Sequence, residues 1–188
     1  MYSAVKVRRV AFSGTSGSGA AVVRPPPTVV SLRSATVSSG RTTARGFSAT
    51  SFVVVGKAGT IIVHNNGAWS SFTTTTNDNF TAVWGSSATD IWAVGEKGAI
   101  FHFDGSSTTS HAITGMTKHL YGIWGSSATD IWAVGKDATI VHYDGTGWSL
   151  VTPPTGVNTD LNAVWGTSGM DVWIVGENGT ILHYSTAP

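Results

Sequence analysis

VWGSSATDIWAVG, Val83 to Gly95, returns almost letter for letter as IWGSSATDIWAVG at Ile123 to Gly135 and more loosely as VWGTSGMDVWIVG at Val164 to Gly176. A further degenerate copy ends at Gly56. The glycines that close the copies, Gly56, Gly95, Gly135 and Gly176, are spaced 39, 40 and 41 residues apart. Self-similarity at a period near 40 is the mark of blades or solenoid units, in which each repeat buries its apolar face against the next.

Each copy follows one plan. A first strand ends in Trp-Gly (Phe80 to Gly85, Leu120 to Gly125, Leu161 to Gly166), and a polar turn then runs to Asp90, Asp130 or Asp171. A second strand, Ile-Trp-Ala-Val or a variant, is rich in the aromatic and β-branched residues that suit a pleated surface. It closes at the glycine. Short turns follow at Lys57-Ala58-Gly59, Glu96-Lys97-Gly98, Lys136-Asp137-Ala138 and Glu177-Asn178-Gly179, the Asn-Gly pair being a strong hairpin signal because both residues tolerate positive φ. A third strand (Thr60 to His64, Ala99 to Phe103, Thr139 to Tyr143, Thr180 to Tyr184) breaks at Asn66-Gly67, Asp104-Gly105 or Asp144-Gly145, and a weaker fourth begins near Trp69 or Trp148. Four short antiparallel strands in about 40 residues make a propeller blade. The expected fold is all-β: a β-propeller, small or incomplete at about four blades.

Composition agrees. The 188 residues include 23 glycines and 8 tryptophans, which suits short strands joined by tight turns. Charge divides the chain. Residues 1–45 carry seven of the eleven Lys and Arg and no acid, whereas residues 46–188 carry four lysines, no arginine and all ten acids. Two segments follow: a basic, low-complexity or degenerate one over 1–45, and propeller repeats over 46–188, counted as 46–84, 85–124, 125–165 and a partial 166–188. Ala11 to Val23 resembles Ala163 to Val175, sharing GTSG, which suggests a decayed blade before Arg24-Pro25-Pro26-Pro27 stops any strand. The basic residues are scattered and little interleaved with aromatics, so nucleic acid is not an expected partner.

The tryptophans obey the repeat. Trp84, Trp124 and Trp165 end first strands, Trp92, Trp132 and Trp173 lie on second strands, and Trp69 and Trp148 follow the Asn/Asp-Gly turns. Blade-to-blade packing is the leading expectation, since each ring buries about 150–250 Å². Trp69 and Trp148, beside exposed turns, are candidates for stacking on a sugar.

The histidines His64, His102, His142 and His183 are read as one position on the third strand. Equivalent positions a blade apart cannot share a zinc ion, whose bonds to nitrogen are about 2.0 Å, so structural hydrogen bonding is expected. Asp90, Asp130 and Asp171 are read as caps on turn amides, and no loop carries the alternating oxygens of a calcium site. No cofactor or metal is expected.

The stretch WGSSATDIWAVGEKGAIFHFDG, Trp84 to Gly105, resembles bacterial β-propeller repeats of the form WG…D-aromatic-AVG…GTILHYDG…W, similar to the photosystem II assembly-factor-like and BNR Asp-box families. The likeness covers residues 46–188. Asp144-Gly145…Trp148 looks like a shortened Asp-box turn, lacking the fuller Ser-x-Asp-x-Gly-x-Thr-Trp form. The resemblance implies a binding scaffold, an assembly factor or an enzyme. A sialidase-like site would need arginines to grip a carboxylate, and residues 46–188 have none. A copper radical site would need a cysteine, and there is none.

The expected function is therefore a non-enzymatic scaffold or fragment binding a protein through its blade loops, with a carbohydrate-binding, lectin-like propeller as the alternative and a glycoside hydrolase third. Recognition is expected where the copies differ: Thr73 to Asn79, Ser106 to Lys118 and Thr152 to Asp160. No apolar run reaches the roughly 18 residues of a membrane span. The resemblance allows an extracytoplasmic place, though no export signal is visible. The last copy stops before its fourth strand, so residues 1–45 supply it, copies of the chain assemble into a homo-oligomer, or the chain is a truncated part of a larger propeller.

Overall fold

The computed structural model describes residues 43–185. The proposed decayed blade at 11–23 lies outside them. Four antiparallel sheets follow one another along the chain. The first holds β1 (Thr43–Ser48), β2 (Ser51–Val55), β3 (Ile61–Asn65) and β4 (Ala68–Phe72). The second holds β5 (Phe80–Ser87), β6 (Asp90–Gly95), β7 (Ile100–Phe103) and β8 (Thr108–Ser110). The third holds β9 (Leu120–Ser127), β10 (Asp130–Gly135), β11 (Ile140–Tyr143) and β12 (Trp148–Leu150). The fourth has three strands, β13 (Leu161–Ser168), β14 (Asp171–Gly176) and β15 (Ile181–Ser185). In every blade the strands pair in chain order. Each sheet opens with its Trp-Gly strand or, in the first, with β1, and the charge break at Arg45 falls inside β1.

The turns after β6 and β14 place both central residues in the left-handed region: Lys97 at φ 50° with Gly98 at 76°, and Asn178 at 55° with Gly179 at 70°. This conformation matches the right-handed twist of paired strands. The third blade makes the same turn with Asp137 and Ala138, at φ 53° and 56°.

First strands stand side by side from blade to blade. Thr43 Oγ1 donates to Thr81 O at 2.8 Å, and Thr81 Oγ1 donates onward to Leu120 O. Blades then stack face to face. Val53, Val55, Ile61 and Val63 meet Ile91, Ala93 and Phe103 at the first joint. Trp84, Trp92 and Val94 meet Ile123, Ile131 and Val141 at the second, and Trp132, Val134 and Ile140 meet Val164, Val172 and Leu182 at the third.

Each joint also seats an aromatic ring on a glycine of the next blade. A methyl group placed on Gly85 would fall 2.9 Å from Phe47 Cζ, one on Gly125 2.8 Å from Trp84 Cζ2, and one on Gly166 2.7 Å from Trp124 Cη2. The glycine of Trp-Gly is a socket for the preceding blade's ring. The last ring in the series, Trp165, is 60% exposed, and Trp173 and Val175 beside it are 40% and 43% exposed.

Candidate functional site

Two constellations stand at opposite ends of the second strands. At the start of β6, β10 and β14 the repeat builds a three-part cluster. Asp90 Oδ1 lies 2.7 Å from His102 Nε2, Asp130 Oδ1 2.7 Å from His142 Nε2, and Asp171 Oδ1 2.7 Å from His183 Nε2. The hairpin register explains the pairing, because Trp92, Trp132 and Trp173 sit opposite those same histidines. Each indole therefore lies against its imidazole, with ring centroids 4.3, 4.2 and 3.9 Å apart. Trp132 Nε1 and Trp173 Nε1 also donate to their aspartates at 3.1 Å.

The aspartates do not cap the turn amides as expected. That work falls to serines: Thr89 N donates to Ser87 Oγ and Thr129 N to Ser127 Oγ at 3.2 Å, and Met170 N to Ser168 Oγ at 3.3 Å. The second carboxylate oxygen of each aspartate instead accepts a hydroxyl, from Ser86, Ser126 or Thr167. The Thr167 hydroxyl and then His183 hold the Asp171 carboxyl below its ordinary range.

His64 departs from the set. It lies one residue further along its strand, paired with Phe52, while Val53 and Val63 hold the places of the Trp and His. Ser51 replaces the aspartate. His64 faces the other side of its blade, stacked on Phe52 at 4.8 Å and beside Trp69 at 4.7 Å. Trp69 is 46% exposed. Trp148, its counterpart in the third blade, is half-buried in the second joint, 5.5 Å from both Trp92 and Tyr143.

Two further carboxylates belong to the Asp-Gly turns. Asp104 Oδ1 accepts the backbone N–H groups of Ser107 and Ser106 at 2.8 and 2.9 Å, which hold its carboxyl far below the usual range. Asp144 does the same with Thr146 and Gly147, and the Thr146 hydroxyl and amide lead in bringing it down to about 2. These are local turn devices that preserve the start of the fourth strand.

At the other end, where the loops that differ between copies arrive, a cleft of about 670 Å³ opens among the first strands. Thr81, Tyr121 and Asn162 line it, each the second residue of its first strand, together with Glu96, Glu177, His119 and Asp160. Asp160 is anchored by the Asp137 amide at 2.9 Å and faces the Tyr121 hydroxyl at 3.3 Å. Burial, then the Asp160 charge, raises the Tyr121 pKa. Glu96 accepts from Asn79 Nδ2 at 3.1 Å. Nearby lysines are engaged elsewhere: Lys97 pairs with Asp78 at 2.7 Å and Lys118 with Asp137. Among the described residues the cleft is thus bounded by three carboxylates and the His119 imidazole.

Of the seven cleft residues, Asp160 ends one of the variable loops where recognition is expected, and the other six lie outside those loops. The missed signal is the second place of the first strand, where Thr81, Tyr121 and Asn162 differ inside conserved surroundings. Among the described residues, no group of three or more His, Asp or Glu is arranged to hold a metal, and no helix is long and apolar enough to cross a membrane.

No family model matches the chain, and no curated protein does. Solved structures do. YCF48 bound to D1 peptide matches over 73% of this chain and 47% of that one, with TM-score 0.59 and 15% identity. The WD40 beta propeller domain of Doa1 matches over 77% of this chain and 50% of that one, with TM-score 0.63 and 18% identity. The fold is a β-propeller. The computationally designed Ika4 protein matches over 75% of this chain and 88% of that one, with TM-score 0.61 and 16% identity. The chain spans about half the length of the YCF48 and Doa1 chains it matches.

Proposed function

We propose that the protein is a non-enzymatic scaffold that binds a protein partner through the loop end of its blades, taking a basic side chain of that partner into the cleft. The carrying observation is that Glu96, Asp160 and Glu177 line one cleft together with Tyr121, at the end of the blades where the three differing loops arrive. Carboxylates in a concave, partly desolvated setting favour a guanidinium or ammonium, and a guanidinium can bridge two oxygens at once. Loops on a rigid scaffold are where propellers carry recognition. YCF48 has been solved with a D1 peptide, which supports peptide recognition as a use of this architecture.

A peptide array probed with the full chain tests the reading. Peptides bearing Arg or Lys should be retained over acidic ones, and the combined Glu96→Gln and Glu177→Gln change should weaken retention about tenfold, or about 1.4 kcal/mol. Raising salt from about 0.01 to about 1 M shortens the Debye length from about 30 to about 3 Å and should weaken it further. Retention indifferent to charge rejects the cleft as the site. A second reading, glycan binding, draws support from the indole of Trp69, which is exposed in the single chain, and a glycan array without binders removes it.

A further inference from the structure

The two end faces of the blade stack are complementary halves of the joint that the molecule already makes three times. At each internal joint a ring of one blade sits on the Trp-Gly glycine of the next, and at the second joint the second-strand Trp92 also meets a third- and a fourth-strand aromatic of the next blade. Trp84 sits on Gly125, while Trp92 lies 4.8 Å from Tyr143 and 5.5 Å from Trp148. At the fourth blade's open face, Trp165 and Trp173 hold the places of Trp84 and Trp92. They are exposed. At the first blade's open face, Gly46 holds the place of Gly125, and His64 and Trp69 those of Tyr143 and Trp148. A methyl group on Gly46 would meet nothing within 4 Å among the described residues. Among the described residues, one end carries a ring without a socket and the other a socket without a ring.

We propose that these ends join between two copies of this chain, Trp165 of each seated on Gly46 of the other, closing an eight-bladed ring of two half-propellers. Two features select a ring of two. The chain superposes on 50% of the Doa1 propeller-domain chain, so its four blades follow about half of a full turn. Area agrees. Strands about 4.8 Å apart and five residues long give a three- or four-stranded face of about 14–19 by 17 Å, so one joint buries on the order of 500 Å². That falls below the roughly 1,000 Å² expected of a stable interface, and two joints reach it. Eight blades lie within the usual range for propellers, and a head-to-tail contact that closes with twofold symmetry leaves neither face bare.

Sedimentation of the full chain over a concentration series tests the proposal. The expected species has twice the chain mass. Trp165→Ala, which removes an exposed ring, and Gly46→Val, which fills the socket, should each weaken association about tenfold per joint, so about a hundredfold for a ring with two. Circular dichroism confirms that each variant keeps its strands. Should either lose them, quenching of tryptophan emission by acrylamide in the unaltered protein gives a second readout, falling as concentration rises. A monomer at all concentrations, a dimer indifferent to both substitutions, or polymers that grow without limit would overturn the ring. So would a monomer whose emission is already protected, which would place residues 1–42 of the same chain on the open face.

Discussion

His142 Nε2 lies 2.7 Å from Asp130 Oδ1, and the same bond recurs at His102 with Asp90 and at His183 with Asp171. In the third blade the aspartate also receives the Trp132 indole N–H, so one carboxylate ties the turn, the second strand and the third strand together. Both side chains are about three quarters buried. Asp130→Ala leaves two buried donors without their acceptor and should cost about 1–3 kcal/mol. Asp130→Asn keeps an acceptor oxygen and should cost less. Urea denaturation monitored by fluorescence measures both, and equal losses would mean that neither packing nor one amide oxygen replaces the carboxylate, which then acts through its charge and both of its oxygens.

Ala138 occupies the left-handed region at φ 56°, where Gly59, Gly98 and Gly179 stand in the other blades. A Cβ is unfavourable there and glycine is not. Ala138→Gly should therefore stabilise the protein by about 0.5–1 kcal/mol, net of the greater freedom glycine gives the unfolded chain. For a domain of this size that is a rise of about 1–4 °C in Tm. The reverse change, Gly98→Ala, should destabilise, because its methyl would fall 2.8 Å from Met116 O as well as at positive φ. Thermal melts of the two variants should move in opposite directions.

The blades were legible in the sequence because their signals are local: Trp-Gly and Asp-Gly pairs, alternating apolar residues and a period near 40. The Asp–His pairs were not. Asp130 and His142 are twelve residues apart, and they meet only once the hairpin register sets Trp132 opposite His142. Reading His64 as part of the same set failed for the same reason, since a shift of one residue along a strand reverses the face. The cleft was harder still, because Glu96, Tyr121, Asp160 and Glu177 come from three blades and are equivalent to one another only in part.

Asp144 should make stability fall in acid over a definite window. Its carboxyl titrates near about 4 in the unfolded chain, and the Thr146 hydroxyl and amide bring it to about 2 in the folded one. A depressed acid stabilises fully above its unfolded value and loses that contribution as pH falls through the folded value. The urea midpoint should therefore drop between about pH 4 and pH 2, and Asp144→Asn should reduce that drop while lowering the midpoint at neutral pH. An unchanged slope in the variant would assign the acid sensitivity to other groups, Asp104 first.

The socket joint gives the sharpest test of blade packing. Trp84 is nearly fully buried, and Trp84→Ala should cost about 3–5 kcal/mol through lost contacts and the cavity left behind. Gly125→Ala would push a methyl to 2.8 Å from the Trp84 ring and should cost about 1–3 kcal/mol by overpacking. Removing the ring relieves the methyl's closest contact, so the double variant should be less destabilised than the two singles added together. The coupling should be about 0.5–3 kcal/mol. It should not be complete, because the same methyl also approaches Asp130 O at 3.0 Å, a backbone atom that the Trp84 substitution leaves in place. Additive losses in the cycle would show that Trp84 and Gly125 stabilise the joint independently, and the ring-in-socket account of blade packing would fail.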